Sequence, residues 1–320
     1  MDAARRNTLL RTAGFVLAGV IVVRVGLHLA DGLRKLGTIE SHPRWGVVLL
    51  SGAVFLMAHA VLVQTWRSVL SCWNEHLPFW SAARVWSVSN LGRYLPGKIW
   101  QIGAMGAMAR ELNVSPVAAA GSALLGTLVN IIAGFVVALL SGRALLTTAT
   151  SGIGPWRIII IIAAMAGLLL SPFIVPVLAP VLARVLKRPV EATLPPRAVV
   201  YALIGNVVAW LVYGFAFQLF VIGMLGQAAG GYSSYLAAYT ISYLVGYIFL
   251  FAPAGVGFRE TAMLEILQRA GLALAPEAAL VTLSSRIWLT LLEVTPAVVF
   301  WAHHRSRRRS LTTDPSDVPT

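Results

Sequence analysis

Two stretches of the sequence combine a helix break with ionisable side chains. Pro96 and Gly97 form the first break, and Pro253 begins the second. Proline lacks a backbone donor and glycine tolerates positive φ, so these residues end one helix and let another begin. The flanking residues that could bind a ligand are Asn90, Arg93, Lys98, Arg110, Gly255, Gly257, Arg259, Glu260, Arg286 and Glu293. Because most of the charged ones are basic, we expect an electropositive cavity that accepts a phosphate-bearing anion.

These charges allow a second interpretation. Arg286 and Glu293 are seven residues apart and so share one helix face, and ionisable groups at membrane depth often pair with one another. Arg259 could therefore pair with Glu260 or Glu293 solely to hold a helix bundle together. The breaks themselves could be kinks in an ordinary bundle. Against the structural interpretation, Arg259 and Glu260 open a predicted helix, where backbone donors favour a bound anion.

The elements that must position these residues are those of a membrane protein. The 320 residues are 58% hydrophobic and only 12% charged, with a mean hydropathy of +0.78. Globular soluble domains contain roughly 25% charged residues. The single cysteine, Cys72, excludes an intrachain disulfide scaffold. We predict an all-α fold, a polytopic membrane helix bundle.

Long apolar runs give the positions of the full spans. A bilayer requires about 20 apolar residues in a helix, which predicts about 6–7 full spans for this chain. The apolar runs are 12–30, 46–63, 117–140, 158–183, 198–225 and 287–302. The first contains Arg24 and lacks a cleavage-site pattern, so we expect an uncleaved membrane helix.

Segments 79–113 and 232–271 do not have the pattern of simple spans. Each is apolar at first, reaches a break, and continues as a polar helix. A separation of 157 positions places Pro96 on Pro253. Interrupted segments at corresponding positions of two halves are typical of transporter binding sites. We therefore predict two re-entrant segments that enter from opposite faces, forming an inverted repeat.

The charge distribution gives an orientation. With two re-entrant segments, sixteen Lys and Arg residues fall on the cytoplasmic side and seven outside, so both termini are predicted to be cytoplasmic in a cell membrane. We expect one transmembrane domain over 1–302, with half-repeats of about 46–141 and 198–302. The tail, 303–320, is basic and then has the composition of disorder. The net charge of +13 therefore indicates lipid headgroups and no nucleic acid.

Other polar and aromatic residues have simpler interpretations. Asn130 and Asn206 are central in long spans and are expected to form interhelical hydrogen bonds. The ten Trp and eight Tyr residues mostly suit interface belts. No Cys/His cluster or nucleotide-binding loop is present, so we expect no metal and no cofactor.

The motif residues resemble those of a known family. They are Leu95-Pro96-Gly97-Lys98-Ile99-Trp100, then Pro253, Gly255, Gly257, Arg259 and Glu260, and then Arg286. This set resembles the lysylphosphatidylglycerol synthase transmembrane region family, also called flippase-like domain proteins. The chain departs from the family at Ala254, where glycine is usual, and at Phe258. The resemblance covers about residues 10–302 and implies a multi-pass lipid-flipping protein, here without the aminoacyl-transferase domain of the best-known members.

Two functions follow as hypotheses. The first is a flippase or scramblase that moves an anionic phospholipid or lipid-linked headgroup. The second is a membrane-embedded enzyme, or an accessory subunit that partners cell-envelope glycolipid synthesis enzymes. The four Asp residues all lie outside the predicted spans, so paired carboxylates for magnesium are missing there and we expect no catalysis. A small-solute transporter is a third variant.

Overall fold

The computed structural model describes residues 43–94, 99–142, 195–248 and 253–312, and throughout these the regular structure is helical. Eight α-helices and two short 3₁₀ turns follow one another there. The helices are α1 (Trp45–Ser71), α2 (Phe79–Asn90), α3 (Ile99–Arg110), α4 (Pro116–Ser141), α5 (Pro196–Leu225), α6 (Tyr232–Ile248), α7 (Phe258–Arg269) and α8 (Ala275–Thr312). The first turn, Leu91–Tyr94, lies between α2 and α3, and the second, Pro253–Gly255, lies between α6 and α7. The expected all-α class is confirmed.

Four of these helices are long and apolar enough to cross a membrane. They are α1, α4, α5 and the Ala275–Phe300 part of α8. In the most apolar 18 residues of each of these helices, only 39%, 39%, 50% and 17% are buried inside the protein, respectively. The remaining apolar surface would be unstable in water and suits contact with lipid. The expected membrane protein is therefore supported by four helices in the described part of the chain.

The helix boundaries differ from the predicted spans mainly where a helix extends beyond its apolar run into polar residues. The runs at 117–140 and 198–225 correspond closely to α4 and α5. α1 continues eight residues past the predicted end at 63, and α8 begins twelve residues before the predicted start at 287. Hydropathy detects the part of a helix that suits lipid, whereas the helix itself continues through polar residues. The runs at 12–30 and 158–183 lie outside the described residues.

α1 and α5 pack against each other antiparallel along much of their length. The Arg44 N–H, just before α1, donates to the Gly223 carbonyl near the end of α5 at 2.7 Å. Val48 packs on Gly223, and Thr65 packs on Gly205. These glycines admit the partner helix closely because no Cβ stands between the two backbones. The start of α1 thus lies beside the end of α5.

The segment containing α2 and α3 starts and ends at one end of the bundle. Arg67, near the end of α1, donates from Nε to the Leu77 carbonyl at 2.8 Å. The Glu75 carboxylate, before α2, accepts from the Ser115 N–H, after α3, at 3.1 Å. Both ends of this segment therefore lie near the end of α1.

The segment containing α6 and α7 has the same arrangement beside α5. Gly226 ends α5 in the left-handed conformation, with φ of 81°. Four residues later, Gly230 lies against Leu272, which follows α7. Because α1 and α5 are antiparallel, the two broken segments start from opposite ends of the bundle.

The two breaks meet near the centre, where the first and second 3₁₀ turns contact each other. The second turn requires glycine. Gly255 has φ of 71°, and a Cβ there would lie 2.6 Å from the Gly246 carbonyl oxygen. Ala254 occupies the left-handed region at φ 50° and ψ 21°, where an L side chain is strained. This is the position at which the resembled family usually has glycine.

Candidate functional site

A cavity of about 130 Å³ lies between the two breaks. This is several times the space that one water molecule needs. Its walls come from all eight described helices and from both breaks: Arg93 from the first, Ala254 and Arg259 from the segment of the second, and Glu293 from α8. The sequence-predicted residues Asn90, Arg93, Arg259 and Glu293 are thus brought together.

Glu293 holds the first break against α8. Its Oε1 lies 3.0 Å from Arg93 Nη2, and its Oε2 accepts a hydrogen bond from the Tyr94 hydroxyl at 2.7 Å. The Arg93 and Glu293 side chains are 19% and 12% exposed. Both carboxylate oxygens are therefore occupied by groups of the protein, and the charge of Arg93 is compensated.

Arg286 holds the second break against α8. Its Nη2 donates to the Ala254 carbonyl at 2.8 Å, and its Nε lies 3.1 Å from Glu260 Oε1. The Nε contact is an ion pair without hydrogen-bond geometry, because both atoms lack a hydrogen-bond partner. The other Glu260 oxygen accepts from the Gly257 N–H at 2.6 Å. Glu260 therefore occupies the start of α7, where we had expected a ligand anion.

Arg259 differs from these two arginines. It is 5% exposed, yet it pairs with neither Glu260 nor Glu293, so the expected structural ion pair is wrong. Its guanidinium carbon lies 5.3 Å from the centre of the Tyr239 ring and 5.1 Å from that of Tyr243. Buried Nη2 has no hydrogen-bond partner among the described residues. A buried guanidinium without a carboxylate is costly, and a bound anion would relieve that cost.

Aromatic side chains form much of the cavity wall. Tyr239, Tyr243 and Tyr247 stack along α6 with ring centres 6.5 and 6.2 Å apart. Tyr213 of α5 stacks on Tyr239 at 6.0 Å. The other aromatic residues of the wall are Phe55, Trp66, Trp86 and Trp210. These faces suit a cation, as Arg259 shows, or the C–H face of a ring-shaped ligand.

Uncharged polar groups complete the wall. The Asn90 and Gln101 side chains form no hydrogen bond to any described residue and remain available to a ligand. Asn130 Nδ2 donates to Asn206 Oδ1 at 2.8 Å, which confirms the expected interhelical bond. His59 Nε2 lies 3.4 Å from Ser87 Oγ. The wall therefore contains both free and paired polar groups.

The remaining predicted site residues are not in the cavity wall. Pro96, Gly97 and Lys98 lie outside the described residues. Arg110 is exposed at the end of α3 and does not line the cavity, so its assignment to the site is corrected. The others shape the second break from behind the wall: Pro253, Gly255, Gly257, Glu260 and Arg286.

Tyr and Trp residues that were expected in interface belts form the cavity wall instead. The signal was present in the spacing. Tyr239, Tyr243 and Tyr247 recur every four residues, which places them on one face of a helix. Arg259 and Glu293 then supply the charges that this face meets.

The described residues contain no group of three or more His, Cys, Asp or Glu side chains that could hold a metal ion. A comparison of the chain with models of known protein families finds no match, and a comparison with curated proteins finds none either. The family resemblance rests on the motif residues alone.

Proposed function

We propose that this protein is a lipid flippase or scramblase that moves an anionic phospholipid or lipid-linked headgroup across the cell membrane. The observation that carries the proposal is Arg259, which lines the cavity between two broken segments and whose buried Nη2 has no partner in the described chain. Charged groups at membrane depth normally mark a substrate path when they are not paired. A headgroup phosphate supplies the missing acceptor.

The architecture supports the same proposal. The described helices form two sets in one order: a long helix, two short arms around a break, and another long helix. α3 and α7 both have 12 residues, and α4 and α8 each begin six positions after their ends. The corresponding helices α1 and α5 are antiparallel. An inverted repeat with two re-entrant segments accounts for all three features.

The proposal also includes the orientation of the chain. One transmembrane domain, residues 1–302, is followed by a basic tail, 303–320, and both termini lie in the cytoplasm. The basic tail would then contact the anionic cytoplasmic leaflet. In this orientation the first broken segment enters from the cytoplasm and the second enters from outside.

The alternative of a membrane-embedded enzyme has less support. An acid or base needs a carboxylate free to act. Glu293 is the acid that lines the cavity in the described part of the chain, and both of its oxygens are held by Arg93 and Tyr94. We therefore propose that the cavity serves transport and not catalysis.

Reconstitution tests the proposal directly. The full-length protein is placed in phosphatidylcholine liposomes that contain traces of fluorescent phosphatidylglycerol, and dithionite is added outside. We expect dithionite to quench lipid beyond the outer-leaflet fraction, because the protein exchanges labelled lipid between leaflets. Quenching equal to that of protein-free liposomes would reject lipid movement.

A variant links the movement to Arg259. Arg259→Gln should abolish transport while leaving the yield and melting temperature close to wild type, since it removes no ion pair in the described structure. Arg269→Gln is the matched control, because Arg269 is on the same helix with a side chain that is 73% exposed. Loss of folded protein in proportion to transport would show that Arg259 acts structurally.

A further inference from the structure

We propose that the cavity selects a phosphodiester that carries one negative charge and an uncharged, hydroxyl-rich headgroup such as inositol or a sugar. The inference rests on the proposed function and names its substrate class. It excludes aminoacylated, ethanolamine and choline headgroups as preferred ligands. The charges, the aromatic residues and the amides of the wall all favour such a headgroup.

The charge count favours a single negative charge. Among the described residues of the wall, Arg93 and Arg259 are cationic and Glu293 is anionic, with His59 taken as uncharged at pH 7. Arg93 and Glu293 compensate each other at 3.0 Å. One positive charge therefore remains, on Arg259. A phosphodiester carries one negative charge, whereas a phosphate monoester approaches two at pH 7 and would bring an uncompensated charge into the cavity.

The position of Arg259 explains how the phosphate would be held. Tyr239 and Tyr243 contact the guanidinium through their ring faces, which helps to fix its position. The unpartnered Nη2 is left for a phosphate oxygen. Charge-assisted hydrogen bonds of this kind are about twice as strong as neutral ones.

The rest of the wall suits a polyol. Asn90 and Gln101 offer amide donors and acceptors that no described residue uses. Each amide can both donate to and accept from a hydroxyl. Tyr213, Tyr243 and Trp210 line the same cavity, and aromatic rings can cover the apolar C–H face of a saturated ring. Amides and aromatic rings in one cavity match a ligand ring that is polar at its edge and apolar on its face.

A cationic headgroup finds no unoccupied carboxylate among the described residues of this wall. The described residues contribute Glu293 alone, and its two oxygens are taken by Arg93 and Tyr94. An ammonium group beside Arg259 would add repulsion in a region of low dielectric. Headgroups with an amine should therefore bind more weakly than an uncharged polyol on the same phosphate.

The test measures binding and does not depend on transport. Full-length protein in phosphatidylcholine nanodiscs receives increasing fractions of one probe lipid with the same acyl chains: phosphatidylinositol, phosphatidylglycerol, phosphatidic acid or phosphatidylethanolamine. Titration of melting temperature against probe lipid gives an apparent affinity for each lipid. We expect the tightest binding for phosphatidylinositol, then phosphatidylglycerol, then phosphatidic acid, and no shift with phosphatidylethanolamine.

Two variants assign the recognition to residues. Arg259→Gln should weaken phosphatidylinositol binding about 10- to 100-fold, as loss of a charge-assisted hydrogen bond predicts. Gln101→Met should weaken it about three- to tenfold and reduce the preference for inositol over phosphatidic acid by the same factor, as loss of a neutral hydrogen bond predicts. Arg269→Gln and Gln268→Met, both at exposed positions of α7, are the matched controls.

The outcomes separate this inference from the proposed function. Equal binding of phosphatidylinositol and phosphatidic acid, or tighter binding of phosphatidylethanolamine, would overturn the inference even if the liposomes show lipid movement. Selective binding without any movement would support the inference and reject the flippase. Glycerophosphoinositol, the water-soluble headgroup, distinguishes the sources. If it binds as well as the lipid, the ligand is a free polyol phosphodiester. The headgroup selectivity would then be supported, and the assignment of the ligand as a lipid would be rejected.

Discussion

Replacing Glu293 with Gln should cost more stability than any other single isosteric change at the cavity. The substitution keeps an acceptor for the Tyr94 hydroxyl but leaves the buried Arg93 without its counter-charge. At the observed 3.0 Å and an effective dielectric of about 20, the lost attraction is about 5 kcal/mol. Breaking one side of a buried ion pair typically costs about 3–5 kcal/mol, which agrees. We expect Glu293→Gln to lower the free energy of unfolding by that amount.

The measurement is unfolding of the purified protein in mixed micelles as the fraction of sodium dodecyl sulfate rises, followed by circular dichroism. The double variant Arg93→Gln with Glu293→Gln is the control, because it removes both charges and should recover most of the loss. A loss below about 1 kcal/mol in the single variant would mean that water screens the pair as at an exposed surface. A double variant as unstable as the single one would show that packing, and not charge, was lost.

Three further predictions concern the second break and the two arms. Gly255→Ala should destabilise the protein far more than Gly257→Ala, because both glycines have positive φ but only a Cβ at Gly255 would meet the Gly246 backbone. Similar melting temperatures of the two variants would contradict this close approach. Ala254→Gly should raise the free energy of unfolding by up to about 1 kcal/mol by relieving its left-handed φ, as read from the same micelle titration, and a loss would count against that strain. In a cysteine-free background, Arg110→Cys and Arg269→Cys, at the ends of α3 and α7, should react with impermeant maleimide from opposite sides of the membrane. Labelling from one side would reject the inverted repeat.

Much of the helical framework could be predicted from apolar runs alone. α4 and α5 are within two residues of the predicted spans at 117–140 and 198–225. Residues typical of helix ends lie where these apolar runs begin or end. Pro116 begins α4, and Gly226 ends α5 with positive φ. Where the end of an apolar run and a capping residue coincide, the sequence is sufficient to predict the helix boundary.

The ionic contacts could not be predicted in the same way. Arg259 and Glu260 are neighbours in sequence, yet consecutive residues of a helix point in different directions. Glu260 therefore meets Arg286 of α8, while Arg259 turns towards the tyrosines of α6. Arg93 pairs with Glu293, which is two hundred positions away in the sequence. These partners depend on the packing of α8 against both breaks, which no local pattern encodes.

The position of α8 has a consequence for how the cavity could open. Glu293 holds the first break and Arg286 the second, and seven residues place them on one face about 10 Å apart along the helix. Turning α8 about its own axis would release both contacts together and open a continuous leak. Tilting it about a point between them would loosen one contact while pressing the other closed. In the proposed transporter, a pivot near Thr290 would therefore give access to one leaflet at a time, with α8 tilting between its contacts to the two breaks.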